Sequence, residues 1–164
     1  MAKTCPVLAL DMARLLGYAY WNGKKRKKSG TVALAEPGEP GLAALGLHRW
    51  LRRFTRKTKD GLFVTYEMPI AYGNRTGVGR GFHLEGILIA FCEGRGIPYR
   101  CVPQPTLKKH STGNGRADKE MMIAAAAERW GFDPCDDNEA DALCVLGWTL
   151  DLGIPKPLKI KVKR

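Results

Sequence analysis

The spacing of apolar and polar residues along the chain predicts nine elements. Val7-Leu-Ala-Leu10 is an apolar run closed by Asp11, the pattern of a buried strand. Gly17–Trp21 and Thr31–Ala35 predict two more strands. Between them lies Asn22-Gly23-Lys24-Lys25-Arg26-Lys27-Lys28-Ser29-Gly30; Asn-Gly marks a turn, so a hairpin with a basic tip is expected. Glu36 to Gly41 reads as a loop, and Pro40 opens a helix. Leu47, Trp50, Leu51 and Phe54 take one face of that helix, while Arg49, Arg52, Arg53, Arg56 and Lys57 take the other.

Leu62–Tyr66 is β-branched and aromatic, a central strand that ends at Glu67. The glycine-rich stretch from Tyr72 to Gly81 reads as a mobile loop. Leu84, Ile87, Leu88 and Phe91 mark a helix that ends near Gly94 or Gly96, and Pro98–Val102 is a fifth strand. Lys108 to Arg116 reads as a basic loop. Asp118–Trp130 is a helix stopped by Gly131, and a last helix runs from about Asn138 to Leu150. Three consecutive strands suggest an antiparallel meander, and strands alternating with helices suggest parallel pairing afterwards. An α/β fold follows: a five-stranded mixed sheet flanked by helices, one domain over residues 1–155, with a loose basic tail at 156–164.

The 164 residues suffice for one core. No run of apolar residues is long enough to span a membrane. The opening segment meets Asp11 too soon for a signal peptide, so a cytoplasmic location is expected. Five cysteines without a C-x-x-C pair, and three scattered histidines, give no disulfide framework and no zinc spacing; the cysteines are expected to be mostly buried. The net charge of +11 points to a polyanion such as nucleic acid.

Against that charge, a few acids stand out. Asp11 and Glu67 each close an apolar strand at its C-terminal end, where open α/β sheets bind ligands. A buried acid needs compensation, and a divalent cation is one form of it. The last helix adds Asp137, Asn138 and Asp141, which share a face at i,i+3 and i,i+4 spacing. The helix dipole explains acids in the first turn but explains Asp141 less well. Oxygen ligands suit Mg2+ or Mn2+. Two ions about 4 Å apart can clamp the attacking and leaving oxygens of a phosphodiester, with one carboxylate bridging them. Asp11, on the central strand, is the natural bridge.

Taken in order, these segments resemble the RuvC-like Holliday junction resolvases, within the RNase H-like fold, over about residues 5 to 152. Val7-Leu-Ala-Leu-Asp11 and Leu16-Gly17-Tyr18-Ala19 resemble the family's first motif, and Phe63-Val-Thr-Tyr-Glu67 its strand with the catalytic Glu. Lys108 to Gly113, with Gly115, Ala117 and Lys119, resembles its basic glycine motif. Glu139-Ala-Asp141-Ala-Leu143 resembles its C-terminal motif.

The resemblance implies a homodimeric, Mg2+-dependent endonuclease that nicks four-way DNA junctions. It makes Asp11, Glu67, Asp137 or Asn138, and Asp141 the metal-site residues, with Lys119 and Lys108 as phosphate contacts. Where the bacterial enzymes carry Asp three residues before Asp141, this chain has Asn138; Asn138 could ligate through its carbonyl oxygen, or Asp137 could take over one residue earlier, and Asp137 is slightly preferred. Met12-Ala13 replaces the usual Pro-Gly after the first Asp. The short chain and basic hairpin look more like bacteriophage-type relatives, acting in a bacterial host and able to cut forks and flaps.

Further candidates for DNA contact are Lys24, Lys25, Arg26, Lys27 and Lys28 at the hairpin, Lys109 beside Lys108, and Tyr72, Arg75 and Arg80 around the glycine-rich loop, where Tyr72 could stack on a base. Glu85 is a lesser rival to Glu67, and His110 reads as a polar loop residue. Two other functions share these features: a catalytically silent junction-binding protein, for which Asn138 speaks, and an RNase H-type hydrolase of RNA–DNA hybrids.

Overall fold

The computed structural model describes residues 5–25, 27–56, 58, 61–69, 75–131 and 134–153, with the backbone alone for 75–80. Five strands run in the order β3-β2-β1-β4-β5: β1 (Val7–Asp11), β2 (Leu15–Trp21), β3 (Lys27–Ala33), β4 (Phe63–Glu67) and β5 (Tyr99–Val102). β1–β2 and β2–β3 pair antiparallel, while β1–β4 and β4–β5 pair parallel. The mixed sheet is the one expected from the sequence. Alternation along β1 divides the core in two. Val7 and Ala9 face a cluster built on α4 (Lys119–Trp130) and α5 (Asp137–Asp151). Leu8 and Leu10 face a cluster built on α1 (Pro40–Thr55) and α2 (Arg75–Glu93).

α5 is the most enclosed helix: every residue from Ala142 to Thr149 is buried. Buried Thr149 and Thr65 meet Oγ to Oγ at 3.0 Å, pinning α5 to β4. At its start, α5 lies directly on β2. A Cβ added to Gly17 would sit 2.0 Å from the Asn138 carbonyl oxygen, so only glycine admits the helix there. Asp136 caps α5, accepting from the Glu139 N–H at 2.8 Å and from Thr31 Oγ1 at 2.7 Å.

Three expectations change. Residues 108–116 are not a loop: α3 (Gln104–Thr112) fills most of that stretch. Pro103 precedes it with extended backbone, Leu107 anchors it in the core, and Gly113 ends it at φ 78°. The glycine-rich stretch after β4 is helical from Arg75 onward, while 70–74 lies outside the described residues. The hairpin tip is shorter than expected, because Lys27 and Lys28 pair with Trp21 and Tyr20 as part of β3. Cys92 and Cys144 are buried as expected, Cys5 and Cys101 are partly so, and Cys135 is exposed. No helix of the described residues is long and apolar enough to cross a membrane.

Candidate active site

Parallel pairing of β1 and β4 sets Leu10 beside Tyr66, so Asp11 and Glu67 emerge at the same edge of the sheet. α5 brings Asp141 to them, while α3, packed against α5, adds Gln104 and Lys108. A cleft of about 360 Å³ opens over the edge, lined by Asp11, Met12, Arg14, Glu67 and Gln104 among others.

The electrostatics of the edge are those of acids crowded together. Burial, then the charges of Asp141, Glu67, Asp137 and Asp136, holds the Asp11 carboxyl well above the usual carboxylate range. Burial and the Asp141 charge push Glu67 up to about 7, against a hydrogen bond from Gln104 and the charge of Lys108. Asp141 rises to about 6 through burial and the Asp137 charge, opposed by Lys108 and Lys119. Among the described residues, none of these three acids forms an ion pair.

Asp137 and Asn138, side by side in sequence, diverge in space. Asp137 binds the Lys119 ammonium, which holds its carboxyl below the usual range. Asn138 turns toward β1: with its amide oriented to satisfy both ends, Nδ2 donates to Asp11 Oδ2 and to the Leu15 carbonyl, each at 3.3 Å. The sequence slightly preferred Asp137 over Asn138, but it is Asn138 that touches Asp11.

The donor chemistry fits a hard divalent cation: three half-buried carboxylates repel one another, with no cation paired to them among the described residues. Nor do three His, Cys, Asp or Glu groups among those residues sit closely enough to enclose an ion alone.

The other candidates scatter. Lys108 faces Glu67 and Asp141, and Lys109 lies exposed on α3. Lys24 and Lys25 are exposed at the hairpin tip, with the Lys24 carbonyl accepting from Trp21 Nε1 at 2.9 Å. Lys27 sits 4.0 Å over the Trp130 ring, and Lys28 is exposed on β3. Arg75 and Arg80 lie on the α2 backbone, while Arg26 and Tyr72 fall outside the described residues. Glu85 belongs to the opposite face, accepting from Tyr66 Oη at 2.9 Å. His110 is not in a loop but on α3, bonded to Asp151 at 2.8 Å near the far end of α5. Sequence reasoning missed two residues. Gln104 holds Glu67, and its one local cue was its place just after β5. Gly17 admits α5, a role that only the approach of the helix reveals.

No protein-family model matches the chain. Over 86 residues it is 34% identical to crossover junction endodeoxyribonuclease RuvC of Corynebacterium diphtheriae, covering 50% of this chain and 53% of that protein. RuvC of Corynebacterium efficiens is 33% identical over 86 residues, covering 50% of this chain and 39% of that protein. The matched stretch thus spans about half the length of these curated relatives, or less. A structure of Thermus thermophilus RuvC superposes with a TM-score of 0.66 at 20% identity, covering 93% of this chain and 99% of that one. T. thermophilus RuvC in complex with Holliday junction substrate gives 0.69 at 20% identity, covering 94% and 99%. Similar to RuvC in sequence over half its length and alike in architecture over nearly all of it, the chain has the RNase H-like fold of RuvC.

Proposed function

We propose that the chain is a metal-dependent, structure-selective DNA endonuclease that nicks four-way junctions and other branched DNA, leaving 5′-phosphate and 3′-hydroxyl ends. The observation that carries this is the cluster of Asp11, Glu67 and Asp141, half-buried together without a paired cation among the described residues, in a chain of net charge +11. The names of the curated relatives and the junction-bound RuvC structure support the choice of substrate.

In this reading Asp11, Glu67 and Asp141 hold divalent cations, Mg2+ with Mn2+ as substitute. Bound there, such ions supply Lewis-acid activation of water and neutralise charge on the phosphodiester. Asp11, which feels the charges of both Asp141 and Glu67, would hold the ions together with them. Asn138 fixes the Asp11 carboxylate through its amide, so its contribution is to orient rather than to ligate. Gln104 does the same for Glu67. Lys108, whose charge acts on Glu67 and Asp141, meets phosphate, and Lys119 reaches phosphate when it leaves Asp137. A four-way junction has near two-fold symmetry, which favours a homodimer with two such sites. The curated relatives are bacterial, so we place the activity in the cytoplasm of a bacterial cell.

Purified protein incubated with a labelled four-way junction tests the reading. Paired nicks are expected with Mg2+ or Mn2+ and none in chelator, and Asp11→Asn should bind the junction but not cut it. Tight binding by the wild type without cutting under either metal would establish the silent junction-binding protein that Asn138 keeps in view. Faster cleavage of an RNA–DNA hybrid would establish the RNase H-type reading.

A further inference from the structure

The register of β1 with β2 pairs Asp11 with Gly17 and Val7 with Trp21, so the hairpin tip lies at the end of the sheet away from the carboxylates. α1 and α2 end at that same pole, since each leads directly into the start of a parallel strand. There a groove of about 560 Å³ is lined by Arg52 and Thr55 of α1, Arg56 at its C-cap, Gly61 before β4, and Arg95 and Pro98 before β5. The five residues of β4 separate it from Glu67 by roughly 16 Å.

Three arginines line this groove, Arg52 on α1, Arg56 at its C-cap and Arg95 in the turn after α2, and among the described residues of the lining none is acidic. Among the described residues none of the three forms an ion pair; Arg95 instead lies 3.8 Å over the Phe91 ring. A simpler explanation is that arginines near helix C-termini complement the helix dipoles. Magnitudes decide against it as the whole account. Each dipole presents about half a negative charge. Among the described residues, two helix ends and Glu93 together fall well short of the charges on Arg52, Arg53, Arg56 and Arg95. The exposed Lys24 and Lys25 add to the excess at the same end of the sheet. Guanidinium forks suit phosphate oxygens, and a track of them suits a repeating phosphodiester.

We propose that the Arg52–Arg56–Arg95 groove is a second DNA-backbone site, which holds a DNA segment other than the one positioned over the carboxylates. It rests on the reading of the substrate as DNA and adds a contact at the pole opposite the site of cutting. Free inorganic phosphate offers the same chemistry, and the experiment separates the two.

The triple variant Arg52→Gln/Arg56→Gln/Arg95→Gln, its Arg→Lys counterpart and the wild type are titrated with a fluorescent four-way junction without metal, across about 50 to 200 mM salt. Losing up to three phosphate contacts should flatten the slope of log K against log salt by about 2 to 3, and weaken binding about tenfold or more. The lysine variant should keep most of the slope. Cutting at saturating junction with Mg2+ should be unchanged, since the groove is remote from the carboxylates. A glutamine variant with wild-type slope and affinity, while the wild type binds and cuts, overturns the groove and leaves the nuclease reading intact. A wild type that binds no DNA overturns both. Calorimetry with inorganic phosphate closes the alternative: phosphate binding that the glutamine variant loses, with junction affinity unaltered, assigns the groove to a free anion and overturns the DNA site.

Discussion

Asp11 is enclosed at the end of an apolar strand among the charges of Asp141, Glu67 and Asp137, an arrangement that costs stability whenever these acids are ionised without a cation. The sign for pH follows from the raised values. Glu67 moves from 4.5 to about 7 and Asp141 from 3.8 to about 6 on folding. Across that window the folded chain holds more protons than the unfolded one, so metal-free stability is highest at low pH and falls as pH rises toward 7. The loss is on the order of a few kcal/mol, since each tenfold gain in proton affinity on folding corresponds to about 1.4 kcal/mol. The thermal midpoint in chelator should therefore drop by several degrees from pH 5 to pH 8, and Mg2+ should remove the drop; a flat profile in chelator would contradict the electrostatic account. Asp11→Asn should raise the metal-free midpoint at pH 8 while abolishing cutting, the expected trade between stability and function. Asn138→Asp sets a charge 3.3 Å from Asp11 in place of a donor. In chelator it should destabilise by about 1–3 kcal/mol, more at pH 8 than at pH 5, as read by denaturant titration.

Helices and strands meet at this site through close approaches that particular small residues permit. Gly17 lets α5 lie on β2 beside Asp11, and Gly46 lets α1 pass the Leu34 carbonyl, 2.3 Å from where a Cβ would stand. Gly17→Ala should push the first turn of α5 off the sheet, carrying Asn138 and Asp141 with it. The expected cost is about 1–3 kcal/mol from overpacking, together with loss of most junction cutting. Thermal denaturation and single-turnover cleavage check both; full activity would show that α5 can shift without disturbing the carboxylates. α3 shows why an element can escape notice. Its lysines, threonines and flanking glycines read as loop, yet Pro103 before it, Leu107 within it and Gly113 after it mark both ends and the buried face. Boundary residues held the signal that composition hid.

At the scale of the molecule, the described residues cluster acids at the carboxyl ends of β1 and β4, with Lys108 and Lys119 beside them, while the hairpin tip and the arginine groove occupy the other end of the sheet. Junction binding should then weaken steeply with salt, because a chain of net charge +11 displaces counterions from DNA. Nicks made in a junction should be sealed by DNA ligase without end processing, since hydrolysis that retains the 5′-phosphate leaves a ligatable pair. Unsealable nicks would contradict the proposed bond cleavage.

The sequence by itself determined the strands and the acids that close them. Apolar runs and alternation are local properties, and an acid that ends such a run is held at a sheet edge wherever the strand pairs. It also determined that Asp141 stands apart from ordinary acids of a helix start. Register and helix rotation were decided only in the tertiary structure. Strand pairing sends the Lys24–Lys25 tip to the pole away from Asp11, which no local pattern encodes. One residue of helix turns a side chain by about 100°. That rotation sends Asp137 to Lys119 and Asn138 to Asp11, although the two are neighbours in sequence.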